Sequence, residues 1–585
     1  MADERSIESI LVADCGTVTT KLLLLERVAR EYRFVAQAQA LTTIGDPWHD
    51  VSVGVTHAIE QLEQVTGRTL YANGELLTPR DEKGGVDAFV VILSAPKPLH
   101  IVLAGLVREM SLESARKALV GTYTYTEAIL SREGSLRSPE ESWARTVRDL
   151  APDIVFLVGG VDGGAGRPVM ELADAIALGT SMLEADHRPR LVYAGNAQLR
   201  SRITKLLGEI TQVDVVDNVR PTVDTEYLGP AQELLERIFV EERLQQTPGV
   251  ETLISWSQLP PRPTAAAFGR LVEYLWHRER NPDRGVLGID LGAANTTVAA
   301  CFEGRPYLSV QGQHGAAYGQ LAWVEKHGLA PLLRWLPEEL GENQVMEFLY
   351  NRELHPWTVP QELEELWIEQ AVVREMLRSA LWAAYPAWDM GKAAPDQRAM
   401  LPHLDPILIS GGGLTHTPRP GQALLAVLDG LEPVGISTML LDRNGAAPAL
   451  GAIAGIKPLA AASALESGTL VPLGTVISLV GKARPGETVL RMKITYEDES
   501  VLNVEARYGE LEIWPLLPGQ HATLELKPQH RFDVGLGGLG KGGKIQALGG
   551  LVGLVVDARG RPLALPKDPE QRRKRLRRWI WDVGG

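Results

Sequence analysis

Two stretches of this chain share one chemical design, at residues 11–25 (LVADCGTVTTKLLLL) and 286–301 (VLGIDLGAANTTVAAC). Each is an apolar run ending in an aspartate, then a turn of small residues, then a second run beginning in threonine. Laid on one another, they align Asp14 with Asp290, Gly16 with Gly292 and Thr20 with Thr296. Small residues let backbone N–H groups approach an anion closely, and consecutive N–H groups in a turn form an anion-binding nest. Thr17, Thr19, Thr20, Asn295, Thr296 and Thr297 add side-chain donors. An aspartate opposes bare phosphate but suits Mg²⁺, an ion that keeps several waters and takes few protein ligands. The pattern therefore points to phosphate held beside a hydrated cation. Two ordinary hairpins with polar tips would also fit either stretch alone; the shared register of Asp, Gly and Thr favours function. Neither turn has the G-x-x-x-x-G-K-[ST] spacing of a Walker P-loop.

These turns need strands to carry them. Residues 8–40 read as three strands, and Arg305 to Gln311 supplies the third strand of the later hairpin. A helix is predicted over 51–65 from the spacing of Val55, Ile59, Leu62 and Val65. From about 85 to 220 strands and helices alternate, which implies a mostly parallel sheet covered by helices. Within it Gly159, Gly160, Gly163 and Gly164 flank Asp162 at a strand end, where such folds bind ligands; a tight strand-to-helix turn explains the same residues. Small residues at 263–269 (PTAAAFG) and 448–455 (PALGAIAG) predict two helices able to approach another backbone closely. Long amphipathic helices are expected over 321–335, 341–350 and 361–382. A strand at 406–410 runs into Gly411, Gly412 and Gly413, a loop that can pass a base or sugar close to the backbone. After about 459 short alternating strands predict an all-β module. The glycine-rich stretch 535–550 reads as turns and crossing strands. The tail RRKRLRRWIW (572–581) reads as a terminal helix that docks its apolar side chains and leaves its arginines in water.

The bounds are those of a multidomain globular chain. It has 585 residues, 45% hydrophobic and 23% charged, too many for one core. The net charge of −14 argues against general nucleic-acid affinity. The two cysteines, Cys15 and Cys301, give no disulfide framework and suit a reducing compartment. The polar, acidic start MADERSIES lacks the basic and apolar regions of a signal peptide, and no run of 18 apolar residues could span a membrane. A cytoplasmic protein with no membrane contact is expected.

The ordered set of Asp14 hairpin, Thr264 helix, Asp290 hairpin, Gly411 loop and Gly451 helix resembles the actin, Hsp70 and sugar-kinase ATPase superfamily. There the pieces are first phosphate loop, first connecting helix, second phosphate loop, adenosine loop and second connecting helix. DLGAANTT departs from the usual D-[IL]-G-G-G-T-[TF]-D at Ala293, Ala294 and Asn295, and has Val298 for the last aspartate. The resemblance implies duplicated actin-like (ribonuclease H-like) α/β domains over 1–280 and 281–458. The first carries the α/β insertion, and a β-rich domain with the basic tail follows over 459–585.

Within that superfamily the α/β insertion, VGGVDGG, YAGN, VVDNVRPTVDTEYLGPAQELLERIF and NRELHPWTVP are similar to the MutL proteins associated with adenosylcobalamin-dependent glutamate mutase. These are unrelated to the mismatch-repair protein of the same abbreviation. The resemblance implies ATP and Mg²⁺ as cofactors. Asp14 and Asp290 would organise the metal, Lys21 would stabilise phosphate charge, and Gly16, Thr17, Thr19, Gly292, Ala293, Asn295 and Thr296 would face the phosphates. Gly411, Gly412 and Gly413 would face the adenosine. It implies a chaperone-like or reactivase-like helper whose partner is the mutase, since the chain lacks the D-x-H-x-x-G cobalamin motif. A small-molecule kinase, with Asp162 as its nominal base, and a nucleotide-regulated scaffold or filament protein are the alternatives. The resemblance of Thr19-Thr20-Lys21 to the activators of acyl-CoA dehydratases fails for want of cluster cysteines.

Overall fold

The computed structural model describes residues 7–82, 84–133, 140–279, 281–312, 314–388 and 400–584. The start of the acidic MADERSIES segment, and Gln313 of the GQHGAAYG connection, lie outside them. The chain divides into two compact units. One comprises Met1–Ala95, Thr247–Leu308 and His314–Gly585, and the other Pro96–Gln246 with Ser309–Gln313.

The first unit contains one sheet plan used twice. Strands Ser9–Cys15, Thr19–Val28 and Glu31–Leu41 form an antiparallel meander, and Ala88–Leu93 lies parallel beside the first of them, with Arg262–Pro263 beyond. Strands Gly285–Leu291 and Asn295–Phe302, with residues 305–308 of strand Arg305–Gly312, repeat the meander. Leu404–Ser410 lies parallel beside Gly285–Leu291, and Gly435–Leu441 follows. The central strands read SILVADC and GVLGIDL because both their faces are covered, which leaves only the terminal aspartate partly accessible.

Helices Thr264–Glu279 and Ala447–Ile453 cross beneath the two hairpins, in a core shared by Ile10, Val12, Phe268, Val272, Leu450 and Ile453. A Cβ on Gly451 would lie 1.8 Å from the Ala267 carbonyl oxygen, so the crossing is backbone on backbone. The helix expected over 321–335 is two, Gln320–His327 and Ala330–Leu333, parted at Gly328 with φ +77°.

The strands after 468 divide between two sheets. Val471–Ser478, Leu554–Asp557 and Leu511–Trp514 extend the sheet of the second hairpin, while Val501–Arg507, Thr488–Tyr496, His521–Pro528 and Gly543–Leu548 form their own antiparallel sheet. Its apolar face (Leu490, Met492, Leu524, Leu526) shares a core with Ile436, Ile477 and Val556 of the larger sheet. The basic tail is the helix Pro569–Asp582, which buries Leu576 and Trp579. A fully paired buried network fixes this region: Arg559 donates to Asp557 and Asp429, Arg374 to Asp429, and Arg561 to Asp557.

The second unit is a five-stranded parallel sheet ordered Val213–Val215, Arg190–Tyr193, Ile154–Leu157, Leu99–Gly105, Thr124–Ser131. Numbered along the chain this is the doubly wound order 2-1-3-4-5.

Candidate functional site

The two hairpin turns are built alike. Gly16 N–H donates to the Thr19 carbonyl at 3.0 Å, and Gly292 N–H to the Asn295 carbonyl at 2.9 Å. Those two amides are therefore spent on closing the turns. The N–H groups of Thr17, Val18, Ala293 and Ala294, by contrast, have no protein acceptor among the described residues. They are the donors available to an anion. Thr17 Oγ1 and Asn295 Nδ2 both donate to the Ser94 carbonyl at 3.4 Å, which ties the two tips together at the end of strand Ala88–Leu93. Thr19 opens its strand and closes the turn through its carbonyl. Thr20 and Thr296 are fully buried; the first shares a hydrogen bond with Thr42, and the second donates to the His314 carbonyl. Their hydroxyls brace the turns from inside the fold.

Asp14 and Asp290 close their strands side by side with a third carboxylate, Asp442, which sequence reasoning missed. Asp442 follows strand Gly435–Leu441 and is fully buried. It accepts from Ala446 N–H at 2.7 Å, Ala447 N–H at 2.8 Å and Ser410 Oγ at 2.9 Å. It thus holds the N-terminus of the second connecting helix to the end of strand Gly435–Leu441. The signal that could have found it is LLDRNGAAPALGA, an aspartate at a strand end ahead of a helix with Pro in its first turn. Thr264 Oγ1 donates to Asp14 Oδ1 at 2.9 Å, so the first connecting helix contributes at its own N-terminus.

Among the described residues one cation, Lys21, acts on all three acids. Lys21 stands opposite Asp14 in the strand register, and it forms no ion pair within 4 Å among the described residues. Gly445, with φ +65°, makes room for it, because a Cβ there would lie 2.8 Å from Lys21 Nζ. Burial pushes the Asp14 carboxyl up, against the opposing pull of Lys21 and the Thr264 hydrogen bond, and Asp442 adds to the rise. Burial, then the charge of Asp14, carries Asp290 up to about 7, with Lys21 opposing and Asp442 reinforcing. Asp442 is raised by burial despite its three donors. Among the described residues, three carboxylates against one ammonium leave negative charge uncompensated in largely buried surroundings, the condition a bound dication relieves.

The third glycine loop packs against the second hairpin. A Cβ on Gly411 (φ +90°) would lie 2.3 Å from the Leu291 carbonyl, and one on Gly413 would lie 2.8 Å from Ala316 Cβ. Gly412 is the open one: a Cβ there would meet nothing nearer than the His416 ring, at 3.5 Å, among the described residues. Two of the three glycines are thus required by packing alone.

In the other unit Asp162 is occupied. Its Oδ1 accepts from Ala197 N–H at 2.9 Å and Asn218 Nδ2 at 3.0 Å, while its N–H donates to the Pro221 carbonyl. It joins three loops at the strand ends and is not held as a free base.

The model of the MutL protein family matches residues 10–468. The chain belongs to the MutL family. Its match spans both hairpins, both connecting helices, the third glycine loop and the doubly wound unit. No curated protein sequence matches the chain. Among solved structures it is similar to nucleotide-free acetone carboxylase, at 11% identity and TM-score 0.32, over 86% of this chain and 81% of that one. It is also similar to the ethanolamine utilization protein EutJ from Carboxydothermus hydrogenoformans, at 9% and 0.27, over 77% and 92%. Plasmodium falciparum glycerol kinase with ADP aligns at 10% and 0.30, over 78% and 92%. With its repeated meander and crossed connecting helices, this MutL-family chain has the duplicated actin-like α/β fold.

Proposed function

We propose that this MutL-family chain binds Mg·ATP between its two hairpin turns and hydrolyses it slowly. The observation that carries the reading is the convergence of Asp14, Asp290 and Asp442 on one lysine, beside four turn amides that lack acceptors. The acids fit a hydrated Mg²⁺, which would neutralise phosphate charge when bound. The amides of Thr17, Val18, Ala293 and Ala294 take phosphate oxygens, Lys21 adds a positive charge from the side, and Gly412 offers open backbone to the adenosine. Phosphoryl transfer needs mainly positioning and charge neutralisation, so a site of this composition suffices for slow turnover. Calorimetry tests the assignment. Asp14→Ala and Asp290→Ala are each expected to weaken Mg·ATP binding at least about tenfold in a folded protein, in line with loss of a charge-assisted contact; wild-type affinity in both variants would overturn it.

The turnover serves a partner. We infer that the chain is a chaperone-like or reactivase-like helper of an adenosylcobalamin-dependent mutase such as glutamate mutase, acting in the cytoplasm. Membership of the MutL family supports this, as does the missing cobalamin motif. The kinase alternative loses its nominated base, since both donors to Asp162 come from neighbouring loops. The test is recovery of an inactivated mutase on adding the chain with Mg·ATP; no recovery, and no co-purification, would refute the helper role.

A further inference from the structure

Five large apolar side chains crowd one short, well-held segment and face water. Tyr350 (53% exposed), Leu354 (69%), Trp357 (55%), Val359 (58%) and Leu363 (63%) lie within fourteen residues, from the end of helix Glu342–Leu354 to the start of helix Leu363–Ala384. Tyr350 and Leu354 share a helix face at i, i+4 spacing. The connecting loop is braced from within. Arg352 donates to the carbonyls of Pro356 and Thr358 and to Glu369, and Thr358 bonds back to the His355 carbonyl through both N–H and hydroxyl. Its apolar tips are therefore presented by a fixed backbone, which lowers the ordering cost of binding. Exposed clusters of this kind mark docking surfaces, and Trp and Tyr are the usual anchors.

The rim selects the partner's charge. Residues 342–369 hold seven glutamates, of which Glu342, Glu347 and Glu362 are exposed, and no lysine or aspartate; the single arginine, Arg352, is taken up by Glu369. The complementary surface is present on the same chain. Helix Pro569–Asp582 carries six basic residues and ends in Trp581, 77% exposed. Lys574 and Arg575 form no ion pair among the described residues, and Arg573 and Arg577 pair with Glu339 and Glu338 only at the surface. Such exposed pairs are weak and exchange partners readily. We propose that the 350–363 segment of one molecule docks the C-terminal helix of a second copy, with Trp581 seated among Leu354, Trp357 and Val359. The contact is head-to-tail, so it propagates or closes into a ring.

Sedimentation of the full chain over a range of concentrations tests this. Wild type is expected to associate, and less so at high salt. Leu354→Asp/Trp357→Asp and Lys574→Glu/Trp581→Asp change only exposed side chains, so circular dichroism should be unaltered. Each pair is expected to raise the dissociation constant at least about tenfold. An equimolar mixture of the two variants should give a dimer and nothing larger, because only one intact segment and one intact helix remain. A wild type that stays monomeric to about 100 μM, association that survives either pair, or a mixture that stays monomeric would overturn the proposal. A monomeric wild type would assign the segment to a different protein.

Discussion

Asp290→Asn should move stability and function in opposite directions. Bringing a carboxyl from its ordinary 3.8 to about 7 corresponds, at 1.36 kcal/mol per pH unit, to about 4 kcal/mol of strain in the ionised folded state. Part of that is shared with Asp14 and Asp442, which adjust when one charge is removed, so about 1–3 kcal/mol should be recovered by the neutral amide. The sign follows from linkage. Between about pH 4 and 7 the folded chain binds a proton that the unfolded chain releases, so stability falls as pH rises through that window. The destabilisation is complete above pH 7 and absent below 4. Without nucleotide at pH 8, the variant should therefore resist urea better than wild type, and the gap should shrink towards pH 5. Mg·ATP at a hundred times the wild-type dissociation constant should cut the variant's advantage by about 1.3 kcal/mol, because wild type gains about 2.7 kcal/mol there and a variant that binds ten times more weakly gains about 1.4. A variant less stable than wild type at pH 8 without nucleotide would refute the electrostatic account. So would a gap that ignores pH.

Gly451→Ala forces apart two helices whose backbones would meet a Cβ at 1.8 Å. Overpacking of about 1–3 kcal/mol should outweigh the helix propensity gained, while Gly229→Ala, with nothing within 4 Å of its Cβ, should be near neutral in the same denaturation assay. Arg559→Met removes the guanidinium that Asp557 and Asp429 share, leaving two buried acids with one arginine each (Arg561 and Arg374), and should cost about 3–5 kcal/mol, read as a lower urea midpoint. Asp162→Asn keeps the acceptor oxygen and should leave ATP hydrolysis within about twofold; a fall of about 10²–10⁴ in transfer to a small acceptor would mark a general base and restore the kinase reading.

The amino-acid pattern alone determined the local pieces. Continuous apolar runs closed by Asp14 and Asp290 marked the buried central strands, and a small-residue turn could join them only as a hairpin. The alanines and glycines of PTAAAFG and PALGAIAG announced close backbone approach, because little else explains so many small side chains on a buried helix. The strand and helix alternation from about 85 to 220 implied a mostly parallel sheet. What pairs with what across long separations was decided only by the tertiary structure. Asp442 is far from both hairpins in sequence, and its place beside Asp14 and Asp290 exists only once Gly435–Leu441 lies in the sheet and Ala446 and Ala447 turn their N–H groups on it. Period-two alternation fixes which face of a strand is buried and says nothing of its neighbour, so Val471–Ser478 joins the second hairpin's sheet while Thr488–Tyr496 joins another. Hydrogen bonds are likewise invisible in sequence. Gly16 and Gly292 spend their amides on the turns, and Thr296 its hydroxyl on His314, which leaves Thr17, Val18, Ala293 and Ala294 as the proposed anion donors.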